Sequence, residues 1–431
     1  MVSRFSLFFL IPALAASAAS AAFDVPIEPV DVPPSVEQGV DMVYIDPEIA
    51  PVFKRRDDQA GGFAFDPWTG APVDMFVPVH PLYTELRRGL DRYRQSWGEL
   101  PAIEVPLGTP LKSGDKGERV ALLRERLGLM FGDTFDAGLT AAVKDYQQVH
   151  GLKADGIVAG ATVNSLNLGA DHYERLLIVN LERARRLPAP GEGNRYILVD
   201  AGAARLWMYE NGQPVDSMKV IVGSAETKTP MMAAVMRYAS LNPYWNVPFD
   251  LTQSLIAPKV VAEGQNYLTE RDYEVFADWT EEASRLDPAT VDWQAVAGGT
   301  KEVRLRRGPG PWNSMGEIKF MMPNDYGIYL HDTPDKSLFA REDRWISNGC
   351  IRVEDAKRLA KWVFGAVPEP QSGEPEERAD LPEPVPVYIT YLTAEAGARG
   401  VTFRPDRYDR DAAVLARYFG ADRDIAISAA R

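Results

Sequence analysis

One cysteine and one histidine stand nineteen residues apart in the segment 328–352, IYLHDTPDKSLFAREDRWISNGCIR. Cys350 is the only cysteine of the chain and lies in Ser347-Asn348-Gly349-Cys350-Ile351-Arg352, while His331 is one of four histidines. A free thiol with a pKa of about 8.5 is only a few per cent thiolate at neutral pH, so it needs a nearby base to act as a nucleophile. His331 is the candidate base. It follows the alternating run Gly327-Ile328-Tyr329-Leu330, which reads as a strand whose end delivers the imidazole into a loop. Cys350 follows a glycine and precedes Ile351-Arg352-Val353, which lets the amides of Gly349 and Cys350 point together at a developing oxyanion. A lone cysteine is more often a small buried apolar residue. The motif around this one argues for chemistry instead.

Those residues resemble the active-site signature of the L,D-transpeptidases, cysteine enzymes that cross-link bacterial peptidoglycan, in which His-x-Thr precedes Ser-His-Gly-Cys-(Ile/Val)-Arg. The segments NPYWNVP (242–248), GPGPWNSMGEIKFMMPN (308–324) and YLHDTP (329–334) are similar to the large periplasmic branch of that family, and the resemblance spans 81–418. It implies a thioester on Cys350 formed from a peptidoglycan tetrapeptide stem. An amine of a neighbouring stem then resolves it as a 3-3 cross-link. Hydrolysis as an L,D-carboxypeptidase or amidase, exchange with a D-amino acid, and anchoring of a protein to the wall share the chemistry. A non-catalytic wall-binding protein is the reading from a different class, and intact His331 and Cys350 argue against it. The resemblance also implies that carbapenem-type β-lactams acylate Cys350.

The same resemblance carries the remaining site residues. The residues themselves identify no orienting group for His331; the resemblance implies a backbone carbonyl, with Asp332 the nearest candidate. Ser347 holds the turn through a side-chain hydrogen bond. Arg352 either binds a stem carboxylate or braces the loop. Tyr329, Trp245, Asn313 and Gly316 match family positions near the cleft and are candidate substrate-binding residues, with core packing the alternative for the two aromatics. Asn348 stands where many members carry a second histidine. There it is expected to shape the turn through its own hydrogen bonds.

A chain of 431 residues, 45% hydrophobic and 25% charged, holds two or three globular domains with sizeable cores. A net charge of −14 excludes a nucleic-acid partner, since no basic stripe is present. The N-terminus has an arginine at position 4, a mainly apolar run over 7–16 and Ala19-Ser20-Ala21, the pattern of a cleaved secretory signal peptide. About ten apolar residues fall short of the roughly twenty that span a bilayer. The expected location is the periplasm, in association with the cell wall. In an exported protein a single cysteine has no internal disulfide partner, which favours a catalytic thiol. His80, His150, His172 and His331 lie in separate segments, so no metal site is expected, and no phosphate loop or other cofactor motif is present. Protein partners are unknown from sequence.

The elements that must position this chemistry follow in order. After the signal peptide (1–22) comes an irregular Pro/Asp/Val-rich leader (23–72). Helical spacing of Leu82, Leu86, Leu90, Tyr93 and Trp97, and again of Leu176, Leu177, Val179, Leu181 and Ala184, predicts a helical scaffold over 73–106 and 169–193, the two helices packing together. Between them 107–168 resembles the three-helix peptidoglycan-binding domain. From 194 the period falls to two: strands at 195–200, 204–209 and 214–222, with Asn211-Gly212 centring a hairpin, open a mainly antiparallel β catalytic domain (194–404). Its acidic segment 251–300 lacks strand signal and is expected to cap the cleft. A short helix at 356–364, a Pro/Glu-rich mobile loop at 369–383, a closing strand at 385–391 and a helical, then frayed tail (405–431) complete the chain. The fold class is α+β multidomain.

Overall fold

The computed structural model describes residues 40–54, 79–280, 282–397 and 400–419. The expected signal peptide, most of the leader and the end of the tail lie outside them. Helix α1 (Pro81–Ser96) begins at a proline, whose missing N–H costs nothing in a first turn. Its N-cap is His80, whose Nδ1 accepts from Leu82 N at 3.1 Å while Nε2 meets the Tyr196 hydroxyl at 2.9 Å. Helices α2 (Glu118–Arg126) and α3 (Ala137–Val149) and the first part of α4 (Gly160–Arg185) close over Val120, Leu123, Leu139, Val143, Val163 and Leu166.

The scaffold helix is the second part of α4. Gly169, at φ 81°, kinks the continuous run there, a backbone conformation that is strained for residues other than glycine. Beyond the kink Leu177 and Leu181 pack with Leu86, Leu90 and Tyr93 of α1 in one core, so the two expected helices do pair. A hairpin from nearer the C-terminus completes that core with Val401 and Phe403. A side chain at Gly89 would place its Cβ 2.4 Å from Val401 Cγ1, so this approach needs glycine.

Eight strands make the closed path of the main β sheet. β2 (Arg195–Asp200), β3 (Arg205–Glu210) and β4 (Gln213–Gly223) make the expected meander, with Asn211 and Gly212 both at positive φ in the tight turn. With β5 (Met232–Leu241), β10 (Ile318–Met321), β11 (Leu330–His331), β13 (Ile351–Val353) and β14 (Glu377–Thr390) they run in the order β5-β10-β11-β13-β4-β3-β2-β14, and β14 pairs again with β5, closing the sheet on itself. Among these eight strands the antiparallel expectation holds except at β11–β13 and β2–β14, which are parallel. The core beneath the sheet includes Val199, Leu206, Val220, Met232, Phe320, Leu330, Ile351 and Val387, with Leu359 and Val363 of a helix at Ala356–Phe364.

Three expectations give way. The leader is not irregular throughout: β1 (Tyr44–Ile45) pairs in parallel with Met232–Ala233, and buried Asp46 bonds the Arg237 guanidinium at 3.1 Å. The segment 251–300 does hold strands: β7 (Tyr273–Phe276) and β8 (Arg285–Leu286) join β6 (Trp245–Val247) and β9 (Arg304–Arg307) in a four-stranded sheet over its own core of Val247, Ile256, Leu268, Val275, Val296 and Leu305. Each is too short to reveal a period. Finally, residues 377–383 belong to β14 rather than to a loop, because the register shift between Asp380 and Val385 takes up Pro382 and Pro384 where no ladder bond is needed.

Burial lowers the His150 imidazole to about 3, and its ring is already satisfied when neutral, with Nδ1–H on Tyr146 O at 2.8 Å and Nε2 against the Tyr93 hydroxyl at 3.0 Å. Below the ordinary value of 6.5 the unfolded chain gains a proton that the fold refuses, so the stability from the neutral ring is full above 6.5 and is lost as pH falls toward 3. The stability advantage of the wild type over His150→Gln in urea should therefore shrink by about 1.4 kcal/mol per pH unit on going from about pH 6 to about pH 4. An advantage that stays constant over that span would contradict the neutral assignment.

Candidate active site

Strand alternation builds the site. In the parallel pair β11–β13, Leu330 lies opposite Ile351 and His331 opposite Arg352, and β10 sets Lys319 opposite His331 on the other side. Phe320, Leu330, Ile351 and Val353 enter the hydrophobic core, so Lys319, His331 and Arg352 share the opposite face. Tyr329 and Cys350, two residues before His331 and Arg352, continue that face, and Ile351 N donates to Tyr329 O at 3.1 Å to hold the register. Contrary to expectation His331 is not carried in a loop beyond a four-residue strand. It is on the strand, because Asn324 folds 324–327 into a turn by accepting from Tyr326 N and Ile328 N, leaving β11 only two residues.

His331 is buried, and its Nδ1–H donates to Asp332 O at 2.6 Å, which leaves Nε2 as the basic nitrogen. Loss of hydration holds the imidazole down at about 3, the Arg352 and Lys319 charges push the same way, and the carbonyls of Asp332 and Ser314 oppose them. Around Cys350 loss of hydration pushes the thiol up, while the amide and hydroxyl of Tyr329, hydrogen-bonded to the sulfur, and the Lys319 and Arg352 charges pull it down. The resting state at neutral pH is thus a neutral thiol and a neutral imidazole. Tyr329 lies against His331 and Lys319: its ring is 5.6 Å from that of His331 and 4.2 Å from Lys319 Nζ.

The turn bearing Cys350 is held from three directions. Ser347 Oγ donates to Cys350 O at 2.6 Å and receives Gly349 N at 3.3 Å. Thr227 Oγ1 donates to Ser347 O at 2.8 Å, and Thr229 Oγ1 to Gly349 O at 2.7 Å. Gly349 sits at φ 105°, open to glycine and strained for other residues. The expected turn-shaping by Asn348 is not what the structure has: its side chain is exposed and makes no hydrogen bond among the described residues.

Arg352 makes no salt bridge or side-chain hydrogen bond among the described residues, and its Nε is buried without a partner, which favours the ligand-binding reading over a brace. Asn313 and Gly316 belong to the loop whose Ser314 carbonyl faces His331, while Trp245 belongs to the smaller sheet. Asn313 is fully buried with its amide spent on Pro243 O (2.7 Å), Gly308 O (3.1 Å) and Met315 N (2.8 Å), so it is a loop brace and not a substrate contact. Gly316 makes room for Asp332, whose Cβ would lie 2.5 Å from a Cβ at that position. Trp245 belongs to β6 of the smaller sheet, 5.8 Å from the Arg307 guanidinium. Sequence reasoning missed Lys319, Thr227 and Thr229. Lys319 had a signal, a single cation between Ile318 and Phe320 in an alternating run. The threonines had none.

Comparison with known proteins adds the family. Residues 194–383 match the family described as L,D-transpeptidase catalytic domain, and residues 117–166 the one described as "Putative peptidoglycan binding domain". A Haemophilus influenzae protein described as "Putative L,D-transpeptidase" is 31% identical over 242 residues, 54% of this chain and 48% of that one. The chain thus spans about half the length of that curated relative. Among solved structures, a Cys-to-Ser mutant of the Enterococcus faecium L,D-transpeptidase is 14% identical, with 46% of this chain and 50% of that one covered and a TM-score of 0.23. The L,D-transpeptidase from Mycobacterium smegmatis is 11% identical, with 46% and 58% covered and a TM-score of 0.23. Likenesses that slight carry no argument. Residues 194–383 thus match an L,D-transpeptidase catalytic domain, preceded by a match to a peptidoglycan binding domain at 117–166.

Proposed function

We propose that the protein is an exported cysteine acyltransferase that cross-links peptidoglycan stems, with Cys350 as nucleophile and His331 as base. The observation that carries this reading is the common face of Cys350, His331, Tyr329 and Arg352 across one parallel strand pair. As the stem carbonyl approaches, Nε2 of His331 takes the thiol proton and the sulfur bonds to the carbonyl carbon. The peptide C–N bond then breaks, and the terminal residue leaves as an amine with the proton returned by His331. An acceptor amine of a second stem attacks the thioester, and the thiol is restored. Charge developing on the carbonyl oxygen falls to the Cys350 amide, with the Gly349 amide shared between it and Ser347 Oγ. The half-buried Arg352 takes a stem carboxylate.

Periplasmic location follows from this substrate. No helix among the described residues is long and apolar enough to cross a membrane.

Digesting the wall of a strain that expresses the protein and identifying the new muropeptide tests this reading. Dimers joined 3-3 support it, whereas stems shortened without any dimer would assign water as the acceptor. Two further outcomes follow from the site. His331→Ala should lower acyl transfer at least about a hundredfold, and Asn348→His should change it by less than about tenfold, because residue 348 faces solvent. Comparable losses from His331→Ala and Asn348→Ala would show that the base role is shared. The rate of Cys350 alkylation by iodoacetamide should rise through and beyond the ordinary thiol pKa, with no plateau near pH 6 to 7, since burial holds the thiol up and the imidazole neutral. A plateau starting at or below about pH 6 would mean a preformed thiolate–imidazolium pair.

A further inference from the structure

Trp312 is a large apolar side chain left in solvent on a backbone that is held beside the candidate site. It is 64% exposed, and its indole makes no hydrogen bond or ring contact among the described residues. Yet the loop 308–316 that carries it is fixed. Arg307, itself buried and 4.0 Å from the Tyr273 ring, donates Nη1–H to Trp312 O, and the next residue, Asn313, spends its whole amide inside the loop. The loop ends on the reactive residues' own support: Gly316 N donates to Asn313 O, Glu317 N donates to Asp332 Oδ2 at 3.1 Å, and the Asp332 carbonyl orients His331. A solvated aromatic on a slack loop needs no explanation. Here a flat apolar face is presented from a rigid position at the edge of the site, which is the arrangement of a recognition platform.

We propose that Trp312 stacks on a pyranose ring of the glycan to which the stem peptide is attached. This rests on the acyltransferase reading above, and charge divides the two parts of the substrate. The stem brings carboxylates, which match Arg352 and Lys319 on the reactive face. The sugar brings a flat C–H face ringed by hydroxyls, which matches an exposed indole and gains nothing from those cations. Trp312 thereby raises affinity for stems that carry their glycan over free stem peptides.

The test compares two acyl donors, a disaccharide-linked tetrapeptide and the same tetrapeptide without sugar, on the full chain. The wild type should show the lower KM for the disaccharide form. Trp312→Ala should raise that KM about fivefold while leaving kcat for both donors and KM for the free peptide unchanged. Trp312→Tyr should recover part of the loss. Equal effects on both donors, or none on either, would overturn the platform while leaving the acyltransferase reading standing. Turnover of neither donor by the wild type would remove the acyltransferase reading and the platform with it. If Trp312→Ala lost turnover of the free peptide, Trp312→Tyr would decide by the same KM comparison.

Discussion

Everything at the candidate site depends on the parallel pairing of two very short strands, Leu330–His331 with Ile351–Val353. In a pleated sheet adjacent residues face opposite ways, so a single register choice sends Leu330, Ile351 and Val353 into the core and His331 and Arg352 to the other side. A slip by one residue would bury a guanidinium and expose two or three aliphatic side chains, and the hydrophobic face thereby specifies the register. The geometry of the candidate site is in this sense enforced by packing on the opposite face. The turn before β13 is positioned separately, by Ser347 from within and by Thr227 and Thr229 from a neighbouring loop.

Burial then sets the protonation states. Removing water disfavours the charged form of both reactive groups, lowering His331 to about 3 and raising the Cys350 thiol. Lys319 and Arg352 act on the two in opposite chemical directions: they resist an imidazolium and favour a thiolate. In the proposed mechanism the proton that leaves sulfur is received by a ring that holds it weakly, which suits transfer onward to a leaving amine and keeps the resting thiol from standing as a thiolate.

Much of this was legible in the sequence, for unequal reasons. The meander at 195–223 was readable because its strands alternate and an Asn-Gly pair marks the turn, and helix Ala356–Phe364 because its apolar spacing is regular. The Cys350 and His331 motif stood out by residue type. Other parts were hidden for physical reasons. Met232–Leu241 pairs with a strand on each side and is almost wholly buried, so its apolar run has no period to read. β7, β8 and β11 are too short for a pattern. Prolines in 382–386 suggest a loop until the register shift in β14 is seen. Asn313 was legible as important but not as a brace, since only the fold shows that its amide is spent inside the loop.

The most direct test of the account is to mix the purified protein with an unlabelled tetrapeptide stem, quench in acid within the first turnovers and weigh the intact chain. The expected result is a single adduct equal to the stem less its terminal residue, mapped to Cys350, absent from Cys350→Ala and much slower to form in His331→Ala. An adduct on another residue, or product formed by Cys350→Ala at the wild-type rate, would contradict it.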